Sequence, residues 1–227
     1  MEALVHDAAL RERTVGEIAA RLPGATAVFR RHKLDFCCGG EKRLAEAALA
    51  RGVDVAGIEQ ELAALDTGRG EPDGLQETGA LIDHILARYH ETHRRELPEL
   101  ARLARRVEAV HAEHAEAPHG LADLLATMEI ELTDHMAKEE NVLFPMMRRM
   151  PGGRFDPPIA RMRDEHDDHG RTLARLRALA HDFVLPAGAC RSWQALYAGT
   201  AKLADDLMDH IHLENNVLFP RFSGDAA

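Results

Sequence analysis

Aromatic residues make up only 4% of this 227-residue chain, and no long alternating run of valine, isoleucine and threonine occurs in it. A half-buried sheet needs such runs, so β architecture is excluded at the outset. What fills the chain instead is Ala, Leu, Arg and Glu, all good helix formers, and the class expected is all-α. Cysteine is scarce: Cys37, Cys38 and Cys190 are the only three. Three in a chain of this length make no disulfide framework, and a reducing compartment is expected. Basic charge is in deficit, with 28 Lys and Arg against 38 Asp and Glu and a net charge of −10. Nucleic acid, which selects basic patches, is excluded as a partner. No apolar stretch approaches the roughly 20 residues of a membrane span, so no membrane is expected either. Met1 to Arg13 mixes both charge signs around no apolar core. It does not read as a signal peptide, and a cytoplasmic location is expected.

The residue in excess is histidine, at 14 copies, and its placement follows the organisation of the chain. Residues 1–66 read as a small helical domain. Thr14-Val15-Gly16-Glu17 has the form of a capping box. A second helix follows Pro23-Gly24, and Asp35-Phe36-Cys37-Cys38-Gly39-Gly40 breaks it. Shorter helices are expected over 42–51 and 55–65. Residues 67–76, rich in glycine and polar groups, read as a linker. Residues 77–227 carry long amphipathic patterns near 77–112, 119–149, 157–183 and 188–218, punctuated by prolines, with a kink expected at Pro98. Four long helices with short connections predict an up-down bundle.

This bundle half repeats itself. Residues 134–145, DHMAKEENVLFP, and residues 209–220, DHIHLENNVLFP, agree at eight of twelve positions at an offset of 75. The first and third helices match at an offset of 76, placing His90 on His166, His93 on His169 and Leu97 on Leu173. A repeat kept only for packing would preserve the leucines and let the histidines drift; here the polar residues persist.

His135 and Glu139 stand four residues apart, one turn along a single helix face, and His210 and Glu214 repeat the arrangement. His90 and His166 add an imidazole from each remaining helix. Four histidines and two glutamates exceed the four ligands of a usual zinc site and fit two ions sharing two carboxylates. Donor type alone admits iron, manganese or zinc. Glu131, four residues before His135, and Glu165, beside His166, are candidates to orient ligands from behind or to pass protons, although solvated helix charges explain them equally well. His93 and His169 are lesser ligand candidates. The remaining histidines, the methionines and Asn-Val-Leu-Phe-Pro after each glutamate read as ordinary packing and helix termination. Cys37 and Cys38, flanked by Asp35 and two glycines, are read either as a redox or thiol site suited to iron–sulfur chemistry or as a buried turn. Cys190 reads as structural. Val28, Phe29, Leu34 and Phe36 offer a dimer or partner surface, with core packing the simpler use.

These motifs together resemble the iron–sulfur cluster repair di-iron proteins, a repair-of-iron-centres family built on the hemerythrin-like domain. The resemblance rests on Asp-Phe-Cys-Cys-Gly-Gly near the N-terminus, Arg-Tyr-His at 88–90, His135-x3-Glu139 within Lys-Glu-Glu at 138–140, Glu-His at 165–166, and Asp-His-x3-Glu ending at Glu214. It covers nearly the whole chain. It implies a hemerythrin-like up-down four-helix bundle with a small N-terminal helical domain, and two non-haem irons, oxo- and carboxylate-bridged, held by His90, His135, Glu139, His166, His210 and Glu214. It implies repair of iron–sulfur proteins damaged by nitrosative or oxidative stress, by donation of iron. A nitric oxide or peroxide reductase fed by an external reductase is the alternative, and an oxygen or nitric oxide sensor or carrier ranks below it. Oxygen-carrying hemerythrins use a different third- and fourth-helix pattern, which argues against simple oxygen carriage.

Overall fold

The computed structural model describes residues 9–65 and 77–224, and among these no strand occurs. The segment read as a linker, 67–76, lies outside the described residues. The elements are all helical: α1 Val15–Arg21, α2 Ala25–Arg31, α3 Leu44–Arg51, α4 Val55–Ala63, α5 Thr78–Ile85, α6 Glu91–Val110, α7 Leu121–Lys138, α8 Phe144–Arg149, α9 Asp156–Leu179 and α10 Arg191–His212. Three π-helical turns join or extend them, at Leu86–His90, Glu139–Leu143 and Leu213–Leu218. No described helix is long and apolar enough to cross a membrane.

The chain forms two compact units, one from the described parts of Met1–Leu81 and Met208–Ala227, the other from Ile82–Leu207. In the first unit the capping signals act locally. The Thr14 hydroxyl accepts from the Glu17 amide at 3.2 Å. The capping box is only half made, because Glu17 pairs with Arg13 and Arg21 rather than reaching back. Asp54 caps α4 by accepting from Ala56 and Gly57 amides. Gly24, at φ +88°, supplies the left-handed turn into α2 that a side chain would resist. Val28, Phe29, Leu34 and Phe36 are all buried, so they serve as core and present no docking surface. α1 packs on the Leu213–Leu218 turn, and the approach is close. A Cβ on Gly40 would lie 2.8 Å from Asn216 Oδ1 and 3.0 Å from the Phe36 carbonyl, and one on Gly16 would lie 2.5 Å from the same Asn216 oxygen. Gly40→Ala is therefore expected to destabilise the protein by about 1–3 kcal/mol, read as a Tm several degrees lower in a thermal melt. An unchanged Tm would show that Asn216 yields without cost.

The second unit is the bundle. On α6, Leu97, Leu100, Ala101, Ala104 and Val107 are buried, the spacing of one helix face. They meet α7, which in turn packs on α9. α10 comes close to α6, for a Cβ on Gly199 would fall 2.6 Å from Leu100. Ion pairs finish the outer seam: Arg88 grips Asp206, and Lys202 bridges Asp206 and Glu96. Burial alone would raise the Asp206 carboxyl, but hydrogen bonds from Arg88 and Lys202 outweigh it and hold the group below its ordinary range. α6 runs unbroken through Pro98. That residue is exposed, so the carbonyl it fails to serve is on the side that water can reach. The irregularity of the first long helix is instead the π turn at Leu86–His90.

Candidate metal centre

Each π turn carries a candidate ligand. His90 closes the first, Glu139 opens the second, and Glu214 lies in the third. Pro145 and Pro220 explain two of them. A proline cannot donate to the carbonyl four residues back and its ring crowds that group, so the turn before it widens. The Asn-Val-Leu-Phe-Pro motif, read as helix termination, widens the helix after Glu139 without ending it, because α8 continues to Arg149.

In the bundle unit three imidazoles gather around one carboxylate. His90 Nε2 and His135 Nε2 each lie 3.5 Å from Glu139 Oε2, and His166 Nε2 lies 3.1 Å from His135 Nε2. His90, Glu139 and His166 are wholly buried and His135 is 1% exposed. The opposite ring nitrogens are engaged behind them. His90 Nδ1 donates to Glu140 at 2.7 Å, and Arg94 donates to the same oxygen at 2.6 Å. His135 Nδ1 donates to Glu165 at 2.9 Å, and Lys138 and Arg161 bind the other Glu165 oxygen. Burial would raise the Glu165 carboxyl, but hydrogen bonds from Lys138 and His135 outweigh it and hold it well below its ordinary range. With Nδ1 bound, Nε2 offers its lone pair inward, the tautomer a metal ligand needs.

The other unit supplies the second pair. His210 Nε2 lies 3.0 Å from Glu214 Oε1, and both residues are wholly buried. The donor sets fit a metal. Two ligands each about 2.1 Å from one ion at right angles stand about 3 Å apart, the separation that the His135–His166 and His210–Glu214 pairs show. Buried carboxylates among imidazole lone pairs carry a desolvation cost that a cation offsets.

The other candidates are placed as follows. Glu165 supports His135, whereas Glu131 is exposed on α7, outside the group. His169 is buried edge-on to the His135 ring at 5.0 Å, and His93 is buried with its ring 6.4 Å from that of Tyr89. Glu140 was not singled out from the sequence. Its signal was its position in Lys-Glu-Glu, one residue past a candidate ligand. Cys37 and Cys38 form no disulfide and their sulfurs lie 3.6 Å apart. Asp35 Oδ1 accepts from both of their amides and from the Cys37 thiol, so the three side chains form a compact donor group. The hydrogen bond with Cys38 and burial push the Cys37 thiol well above its ordinary range. Asn215, next to Glu214, donates to the Cys37 carbonyl at 3.0 Å, and Asn216 to the Phe36 carbonyl at 3.0 Å. Cys190 lies 3.2 Å from His111 Nε2.

A helical bundle whose buried histidines and glutamates converge in this way belongs to the class of hemerythrin-type cation-binding domains, and the model of the hemerythrin HHE cation binding domain matches residues 81–222. A domain of unknown function, DUF542, matches residues 11–66. The chain is 46% identical over 213 residues to the iron–sulfur cluster repair protein YtfE of Dickeya chrysanthemi (strain Ech1591), covering 93% of this chain and 96% of that one. It is 46% identical over 214 residues to the protein of that name in Enterobacter sp. (strain 638), covering 94% and 97%. With the one in Escherichia coli O139:H28 it shares 45% over 214 residues, covering 94% and 97%. The chain belongs to this family of iron–sulfur cluster repair proteins, and its hemerythrin-type domain implies bound iron.

Proposed function

We propose that this protein restores iron–sulfur clusters damaged by nitrosative or oxidative stress, acting in the cytoplasm as a donor of iron. The observation that carries the reading is the buried donor set, in which imidazoles backed by carboxylates surround Glu139. The proposal joins the group around Glu139 and the His210–Glu214 pair into one centre for two irons. The internal repeat, which makes the two His-x3-Glu pairs equivalent, and the single family model spanning both support it. His90, His135, His166 and His210 would bind through nitrogen, with Glu139 and Glu214 shared between the ions. Iron is the cargo here. Carboxylates shift readily between bridging and terminal binding and are harder, less retentive donors than thiolates, so a set bridged by carboxylates releases iron where a thiolate set would retain it. The division into a small domain over 1–66, a linker over 67–76 and a bundle over 77–227 belongs to the same proposal. So does a role for Cys37 and Cys38, a soft donor group tied through Asn215 to the turn bearing Glu214. Damaged iron–sulfur proteins are the partners this reading requires.

The test is reactivation of a cluster enzyme inactivated by nitric oxide. Iron-loaded protein is expected to restore activity faster than the same amount of free ferrous iron, and a Cys37→Ser/Cys38→Ser protein shows whether transfer uses the thiols. Equal rates with free iron would end the donor reading. Sustained nitrous oxide production with an added reductase would instead favour the reductase alternative.

A further inference from the structure

The supports behind His90 and His135 have a property that the ligands themselves do not share. The ligands recur between the two halves of the bundle, but the supports do not. At the offsets that carry His90 to His166 and Glu139 to Glu214, Arg94 falls on Gly170 and Glu140 on Asn215. Glu165 falls on Tyr89 and Lys138 on Leu213. In each case the carboxylate and the cation that holds it are exchanged together for neutral residues. The supports are therefore particular to His90 and His135, whose Nδ1 atoms they engage.

We infer that Glu140, held by Arg94, is the positioning residue for His90. Its Oε1 accepts from His90 Nδ1 at 2.7 Å and from Arg94 at 2.6 Å. Arg94 stands one turn beyond His90 on the same long helix, so carboxylate and guanidinium clamp the imidazole from behind. Both His90 and Glu140 sit on π turns. In the second turn the consecutive residues Glu139 and Glu140 both engage His90, Glu139 at Nε2 and Glu140 at Nδ1. Locked in this way, the ring keeps its proton on Nδ1 and its orientation fixed, and Nε2 stays directed at Glu139 before any ion arrives. The stacked Phe144 ring, 5.9 Å away, closes one face of the imidazole. Arg94 holds the carboxylate in place through its hydrogen bond to the same oxygen. The arrangement is the carboxylate–histidine support that raises the affinity of metal-binding imidazoles.

The inference rests on the metal reading above, and its test keeps the two separate. Wild type, Glu140→Ala and Glu140→Gln are loaded anaerobically with ferrous iron. Three quantities are measured: iron per chain, the rate at which a ferrous chelator withdraws it, and the Tm of the metal-free proteins. Glu140→Ala is expected to release iron about 10–100-fold faster, with the metal-free Tm unchanged. Glu140→Gln keeps an oxygen that accepts from Nδ1, so it should fall between the two and rescue part of the loss; it carries the test alone if the alanine protein does not fold. Release at the wild-type rate from Glu140→Ala, or a faster release matched by an equal loss of Tm in the metal-free form, would overturn the positioning role. A wild-type protein that holds no iron would bring down the metal reading itself, and this inference with it.

Discussion

Glu139→Ala is expected to abolish iron binding altogether, taking the iron content per chain from that of the wild type to near none. Three imidazoles face this one carboxylate in the bundle unit, two of them at 3.5 Å, so its removal takes an anionic donor from the whole group. His210→Ala is expected to lose iron too, through the smaller group. Glu139 is wholly buried, and a buried carboxylate carries a desolvation penalty. Relief of that penalty offsets part of the cost of the cavity and of the lost contacts to His90 and His135, so the metal-free protein should stay folded while the stabilisation that iron gives the wild type disappears. Iron analysis with thermal melts of both forms reads the two effects together. A Glu139→Ala protein that keeps its iron, or one that loses iron only because its metal-free form unfolds, would remove Glu139 from the centre.

The candidate ligands were legible because their geometry is local. Residues four apart share a helix face whatever the helix packs on, so His135 with Glu139 and His210 with Glu214 were legible, and the repeat added His90 and His166. The four long helices were legible for the same reason, each carrying its own period and its own punctuation. The supports were not, because they lie across helices. Which of Glu131, Glu140 and Glu165 backs an imidazole depends on helix rotation, and the π turns at Glu139–Leu143 and Leu86–His90 alter that rotation by an amount no periodicity count contains. Glu131 had the better helical spacing, at four residues from His135, and it is exposed. Asn215 and Asn216 hid in a repeated motif that looked like packing. Their partners, Cys37 and Phe36, are about 180 residues away in sequence.

Those asparagine contacts lead to the second large effect. Removing residues 1–66 should cost the protein its metal as well as its N-terminal helices. The stretch that bears His210 and Glu214 belongs to the same compact unit as those helices. Arg30 pairs with Asp209, the Phe36 ring meets His212 edge-on at 5.6 Å, Asn216 is bonded to Phe36, and α1 packs on the Leu213–Leu218 turn. His212 shows how enclosed the place is. Burial pushes its imidazole down to about 4, so the ring stays neutral there. Each large apolar side chain uncovered by the truncation forfeits about 1.5–3 kcal/mol, and the π turn carrying Glu214 has few bonds of its own to resist. A chain of residues 67–227 is therefore expected to melt at a markedly lower temperature, to bind the dye that reports exposed apolar surface, and to retain little iron. Retention of full iron content with an unchanged melt would mean that the bundle stands by itself. The contacts of Asn215 and Asn216 would then attach the thiol-bearing domain without supporting the ligands. The expected loss would mean that the N-terminal helices hold the turn that bears Glu214, and that a change in the Cys37–Cys38 loop is felt one residue away from Glu214.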